Sequence, residues 1–160
     1  MRLAPVSAEP LGGGNTKVDS YHQAPISNGN PDEQALIRQW WHEEQGGRGL
    51  IVWEYYIGGC YVDAVWFSDH AEHGREEPGA KAHTRFPITG QSIVLCEAKI
   101  RLTPELIGQA LVYQTFAKRA GAEVGRTIIL ARSGSQELRM AARDLGLEVI
   151  LQDQAAPSAV

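Results

Sequence analysis

Two apolar runs of equal length, Leu50–Ile57 and Cys60–Phe67, flank the dipeptide Gly58-Gly59. A glycine pair accepts the positive φ angles of a two-residue hairpin turn, so the segment predicts an antiparallel strand pair. The turn also sets the register. Ile57 falls opposite Cys60, and counting back brings Glu54 opposite Asp63. Two carboxylates facing each other across a ladder repel, which calls for a nearby cation or a slipped register. A Glu54 solvated near a strand edge answers the pattern equally well. A third run spans residues 92 to 98, Ser-Ile-Val-Leu-Cys-Glu-Ala, and like 60 to 67 it is largely apolar on both faces. Strands apolar on both sides are buried on both sides, and helices must supply the cover.

The cap signals place those helices. Asn30-Pro31-Asp32-Glu33 offers an N-cap, a proline suited to the first helical position, and acids at the positive end of the helix dipole. Ala35, Leu36, Gln39 and Trp40 trace its face and Gly46-Gly47 stops it. Thr103-Pro104-Glu105 opens a second helix that Gly121 closes. At 100° per residue Leu106, Gln109, Ala110, Tyr113, Phe116, Ala117 and Ala120 share one face. Gln109 thus stands in the stripe that packs on the sheet, where a buried amide needs a polar partner. Residues 126 to 131 read as a strand, 136 to 145 as a helix stopped by Gly146, and 147 to 151 as a last strand. Ser133 and Gln136 offer a capping box for that helix. This tail predicts parallel strands beside the hairpin. The fold class is α/β, a mixed central sheet flanked by helices.

At 160 residues the chain makes one domain, long enough to bury roughly two-thirds of its unfolded surface. Residues 31 to 152 carry the pattern. Residues 1 to 30, rich in Gly, Pro, Ser and Asn, read as a disordered or loosely attached leader, and 153 to 160 as a frayed tail. No apolar stretch approaches the ~20 residues of a membrane span and the N-terminus lacks a signal-peptide core, so a cytoplasmic location is expected. Cys60 and Cys96 then read as reduced, packed thiols.

The chemistry gathers at strand ends. Glu97 and Lys99 lie two residues apart and project to one side of their strand, with Asp63 on a neighbouring one. Two carboxylates and an amine converging there suit a hard divalent cation, an activated water and a phosphate. No Walker loop, dinucleotide fingerprint or nucleophile elbow is present. The net charge of -4 argues against a purely charge-driven DNA binder. Residues 69 to 90 read as a long polar loop. His70, His73 and His83 match no standard zinc spacing, whereas Arg75, Lys81 and Arg85 suit contacts to phosphates.

Asp63 followed by Glu97-Ala98-Lys99 on the next core strand resembles the pattern of the PD-(D/E)XK, or restriction-endonuclease-like, nucleases. Gln109-Ala-Leu-Val-Tyr113, 12 residues beyond Glu97, resembles the Gln-x-x-x-Tyr signature of the RecB-like branch. The C-terminal half, Gly108-Gln109 through Gly121 and then Arg126-Thr-Ile-Ile-Leu-Ala131, is similar to the nuclease domain of NucS-type mismatch endonucleases. The resemblance covers residues 31 to 152. It implies an α-β-β-β-α-β core with an added helix and strand, and a divalent-metal-dependent nuclease acting on DNA.

In that reading Asp63, Glu97 and the backbone carbonyl of Ala98 hold Mg2+ or Mn2+. Glu33 and Glu54 are candidates for a further ligand, and Glu43 and Glu44 compete with Glu33. Lys99 orients the water and donates to the phosphate, while Gln109 and Tyr113 support the site or touch the backbone of the nucleic acid. The expected partners are DNA and, for symmetric duplex cutting, a second copy; a subunit role in a defence, repair or mobile-element assembly is compatible with the leader. Two alternatives use the same fold without cutting: a nucleic-acid-binding module and a structural subunit. The intact Asp63, Glu97 and Lys99 favour the nuclease.

Overall fold

A computed structural model of the chain describes residue 21, residues 29 to 79 and residues 85 to 152. Helix α1 (Pro31–Glu43) begins as its sequence predicts, with the Asn30 side chain accepting from the N–H groups of Asp32 and Glu33. Strands β1 (Leu50–Ile57) and β2 (Cys60–Phe67) form the hairpin around Gly58 and Gly59, at φ 59° and 89°. Gly58 is required twice over, because a Cβ there would lie 2.6 Å from the Phe116 ring. After β3 (Arg75–Pro78) and β4 (Ser92–Ala98) come α2 (Pro104–Arg119), β5 (Glu123–Ala131), α3 (Gln136–Asp144) and β6 (Glu148–Leu151).

These strands make one six-stranded sheet in the order β3-β1-β2-β4-β5-β6. The hairpin and β4 run antiparallel, whereas β4, β5 and β6 are parallel, so the C-terminal strands join the hairpin through β4. Leu36, Ile37, Trp40 and Trp41 of α1 cover one face, against Ile51, Trp53, Ala64 and Trp66. Leu50, Val52, Tyr55, Val62 and Val65 line the other beneath Ala117 and Phe116 of α2. Among the described residues no helix is long and apolar enough to cross a membrane. Cys60 and Cys96 are free thiols, and Cys96 is buried.

The loop expected over 69 to 90 contains a strand instead. Arg75–Pro78 pairs in parallel with Leu50 to Trp53 of β1 at the sheet edge. Its sequence, Arg-Glu-Glu-Pro, shows no apolar alternation, because ion pairs hold it in place of a hydrophobic face. Glu76 Oε1 accepts from Arg38 Nε at 2.6 Å and from Trp53 Nε1 at 2.9 Å. Arg38 is fully buried, lies 4.8 Å from the centre of the Trp53 ring, and leaves both terminal guanidinium nitrogens without a hydrogen-bond partner. A second correction concerns α3, whose N-cap is Ser135, accepting from the Leu138 N–H, and not Ser133. The leader, apart from Tyr21, Gly29 and Asn30, and the tail 153 to 160 lie outside the described residues.

The hairpin register is the one counted from the turn, from Ile57↔Cys60 through Tyr55↔Val62 and on to Trp53↔Ala64. It does not slip. The ladder is interrupted between Trp53↔Ala64 and Tyr55↔Val62, and there Glu54 adopts φ 50°, a left-handed conformation uncommon outside glycine. Val52 and Tyr55 face the same layer although three residues apart, as do Val62 and Val65. Face alternation therefore breaks at Glu54 and Asp63, one on each strand.

Candidate active site

Backbone pairing between β2 and β4 runs as far as Ala64↔Cys96. One residue on, side chains take over the ladder. Glu97 Oε1 accepts from the Asp63 N–H at 3.1 Å, and Asp63 Oδ2 accepts from the Ala98 N–H at 2.8 Å. Each carboxylate is thus pinned by the opposite strand through one of its two oxygens. The crossed bonds hold Asp63 and Glu97 side by side where the strands begin to part.

Such closeness is costly for a buried acid and a half-buried one. Glu97 is 3% exposed, and burial, then the charge of Asp63, pushes its carboxyl up to about 10. Burial raises Asp63 as well, against the pull of the Ala98 N–H and Lys99. Glu54 is raised by burial and then by Asp63 and Glu33, which makes it a member of the same acidic group. Lys99 Nζ donates to Glu33 Oε1 at 2.8 Å. Burial draws the Lys99 ammonium down, but the bond to Glu33 and the surrounding carboxylates outweigh it, so the group titrates above its ordinary value.

Among the acids of α1, the geometry places Glu33 at the cluster. Glu43 and Glu44 sit at the far end, where Glu43 accepts from Gln39 and Glu44 is the C-cap. Tyr113 is half-buried and its hydroxyl is pushed up to about 12, by burial first and then by Glu97, Cys60, Asp63 and Glu54. Gln109 corrects the sequence expectation: it is exposed, and α2 buries Leu106, Ile107, Ala110 and Ala117 instead. It lines an open groove of about 350 Å³ with Glu33, Lys99, Arg101, Thr103 and Leu106. A different amide, Gln114, meets the sheet, donating to Thr127 Oγ1 at 3.1 Å.

The basic residues of the 69 to 90 segment are engaged elsewhere. Arg75 is bonded to Glu72 and Glu77, and Arg85 pairs with Glu77 at 3.4 Å. Lys81 and His83 lie outside the described residues. His73 accepts from the Gly49 N–H and His70 from the Glu72 N–H, both through Nδ1.

Four acids, Glu33, Glu54, Asp63 and Glu97, thus gather with one ammonium, Lys99, and burial with mutual repulsion makes Glu54, Asp63 and Glu97 hold their protons more tightly than free carboxyls. A divalent cation would relieve that repulsion. Among the described residues no three His, Cys, Asp or Glu side chains form a ready-made metal cage. Magnesium does not need one, since it is bound through one or two carboxylates and fills its shell with water and phosphate oxygens. The all-oxygen donors Asp63 and Glu97 fit such an ion, or manganese.

A pH dependence follows from Glu97. Its carboxyl titrates near 4.5 when unfolded and near 10 when folded, so the folded state favours the proton. The stability this supplies is full below 4.5 and is lost as pH rises toward 10. In chelator, the melting temperature is expected to fall between pH 6 and pH 9. Glu97→Gln should flatten that slope and raise the pH 9 value by at least about 3 °C, the shift from roughly 1 kcal/mol in a chain of this size. A wild-type melting temperature that climbs over this range would contradict the assignment.

No protein-family model and no curated protein matches the chain. Solved structures similar to it include EndoMS in a complex with double-stranded DNA, 17% identical, with a TM-score of 0.48. That similarity covers 78% of this chain and 46% of that one. A repair endonuclease from Pyrococcus abyssi is 17% identical with a TM-score of 0.49, over 82% of this chain and 50% of that one. The chain spans about half the length of each.

Proposed function

We propose that the chain is a divalent-metal-dependent nuclease of the PD-(D/E)XK type that hydrolyses phosphodiester bonds within DNA. The observation that carries this reading is the crossed pinning of Asp63 and Glu97 with Lys99 held beside them by Glu33. Bound magnesium or manganese supplies a water of lowered pKa and neutralises charge on the reacting phosphate. Asp63 and Glu97 hold the ion, and the resemblance adds the Ala98 carbonyl. Glu97 gives up its proton when the cation binds, so metal uptake becomes tighter as pH rises. Lys99 keeps its proton, orients the attacking water and donates to a phosphate oxygen. Glu33 anchors the ammonium at the groove. Gln109 and Tyr113 flank the reacting phosphate, and Glu54 supplies additional negative charge near the ion. Symmetric cutting of a duplex would take two copies of the chain.

The direct test is incubation with supercoiled, linear, branched and single-stranded DNA in magnesium, manganese or chelator. Cleavage in either ion and none in chelator is expected; intact DNA in every case would overturn the reading. Lys99→Ala should lose cleavage yet still bind magnesium by calorimetry, because an ammonium cannot ligate a cation. Loss of the metal would instead make Lys99 part of the binding framework. Gln109→Leu should slow turnover by about 10-fold, roughly 1.4 kcal/mol in the barrier. Its melting temperature should not move, since residue 109 is exposed. Unchanged turnover would remove Gln109 from the site.

A further inference from the structure

Beyond Ala98 the chain leaving β4 stays beside the chain leaving β5. The Lys99 N–H donates to the Leu130 carbonyl at 3.0 Å, the Arg132 N–H to the Ile100 carbonyl at 3.1 Å, and the Leu102 N–H to the Ser133 carbonyl at 2.8 Å. Arg101 pairs with Ser133 inside this extension, so its backbone is fixed while its side chain is exposed. Arg101 lines the groove of about 350 Å³ together with Glu33 and Lys99. It also lines a second open groove, of about 430 Å³, with Leu102, Ser133, Gly134, Ser135 and Leu138. One residue therefore belongs to both.

An exposed arginine can be ordinary surface charge. The company of this one indicates a task. Among the described residues, the cations outside any ion pair are Arg101, Lys118, Arg119, Arg132, Arg139 and Arg143. Of these, it is Arg101 that lines the groove of the site. Two carboxylates line that groove as well and neither holds it: Glu33 is bonded to Lys99, and Glu105 makes no ion pair among the described residues. The guanidinium stays available beside the ammonium. In a chain of net charge -4, Glu54, Asp63 and Glu97 repel phosphates, and Arg75 and Arg85 are tied to Glu72 and Glu77. A strand drawn to the centre needs a fixed cation next to it. Arginine supplies one whose planar fork takes a phosphate through two parallel N–H···O bonds. Two residues separate Lys99 from Arg101, at most about 7 Å of chain, which matches the step between neighbouring phosphates of one strand.

We propose that Arg101 grips the nucleic-acid backbone at the phosphate next to the scissile one, and that the strand leaves the centre along the second groove, past Ser133 and Ser135. This rests on the nuclease reading of the Asp63–Glu97 centre, and it adds how the strand is held and where it runs. The second groove suits a backbone, since its lining residues carry one guanidinium, no carboxylate and two hydroxyls. Ser135 Oγ accepts from the Leu138 N–H, which leaves its own proton free for a phosphate oxygen. Contacts of this kind position a strand and read neither its sequence nor its pairing.

The test uses a fluorescein-labelled DNA duplex and its labelled strand alone, with binding read by anisotropy in chelator between about 50 and 200 mM salt. Arg101→Ala should weaken both by about 10-fold at the lower salt. The slope of log K against log salt should become shallower by about 0.9 for the duplex and about 0.7 for the single strand, the share of one phosphate contact. Arg101→Lys should restore the slope but only part of the affinity, because an ammonium lacks the fork. Arg143→Ala removes the same charge from the last turn of α3, outside both grooves, and should change affinity by less than about 2-fold. Ser133→Glu puts a carboxylate in the second groove and should weaken binding by at least about 10-fold. Arg101 and Ser133 are exposed, so melting temperatures should stay within about 2 °C of wild type. A wild-type slope in Arg101→Ala, or an equal loss in Arg143→Ala, overturns the grip, and wild-type affinity in Ser133→Glu overturns the path. During cleavage Arg101→Ala should raise KM by about 10-fold and leave kcat within about 3-fold. Cleavage with a wild-type KM in that variant overturns the grip and leaves the nuclease reading standing. An Arg101-dependent salt slope without cleavage in any metal does the reverse.

Discussion

Asp63→Asn should abolish metal-dependent DNA cleavage, by at least about 1000-fold or roughly 4 kcal/mol in the barrier, while the protein folds normally. Asparagine keeps an oxygen that can accept from the Ala98 N–H, so the link between β2 and β4 survives. What disappears is one negative charge toward the cation. The repulsion on Glu97 falls at the same time, because the charge of Asp63 is the second-largest cause of its raised pKa. Glu97→Gln should behave alike, with the Asp63 N–H still satisfied by the amide oxygen. Loss of activity with an undiminished melting temperature in chelator separates chemistry from packing. Turnover within about 10-fold of wild type in either variant would sink the assignment of the pair.

The largest effect on stability is expected far from that pair. Glu76→Ala should lower stability by about 3–5 kcal/mol, because it leaves the Arg38 guanidinium buried with no counter-charge. Trp53 Nε1 loses its acceptor in the same substitution. Arg38→Met should cost far less, within about 1 kcal/mol, since Glu76 keeps 18% of its side-chain surface in water and an apolar chain suits the Trp53 face. Thermal or urea unfolding of the two variants checks the asymmetry. If Arg38→Met proves the more damaging, the pair contributes net attraction and the cost of burying the guanidinium has been misjudged. Neither substitution touches the acidic cluster, so metal binding should follow the folded fraction alone.

Features set by neighbours in sequence were readable from it. The Gly58-Gly59 turn and the counted register place Glu54 across from Asp63, and Asn30 and Thr103 cap the helices they precede. Apolar runs on both faces of β2 and β4 required helices on both sides of the sheet, and α1 and α2 provide them. The meeting of Asp63 with Glu97-Ala98-Lys99 was legible for the same reason, since adjacent strands leave few ways to arrange their ends.

What failed to show depended on partners remote in the chain. β3 has no apolar pattern because its hold comes from Arg38 and Trp53, 38 and 23 residues before Glu76. Helical periodicity gave α2 a face that included Gln109, but packing of Ile107 and Ala110 in the cluster shared with Ala142 and Leu147 turned that face, and Gln109 came to the groove. Glu33, Glu43 and the C-cap Glu44 all competed on paper for a place at the site. The docking of the helix brought Glu33 to Lys99 and carried Glu43 and Glu44 to the other end.

The sequence by itself determined the hairpin, the helix starts and the chemical types gathered at the strand ends, because turn geometry, capping and strand alternation act over a few residues. Tertiary structure alone decided which acids surround Lys99 and how far burial and mutual repulsion raise Glu97. Those outcomes depend on distances between segments and on water excluded from between them, and neither is a property of any one stretch of chain.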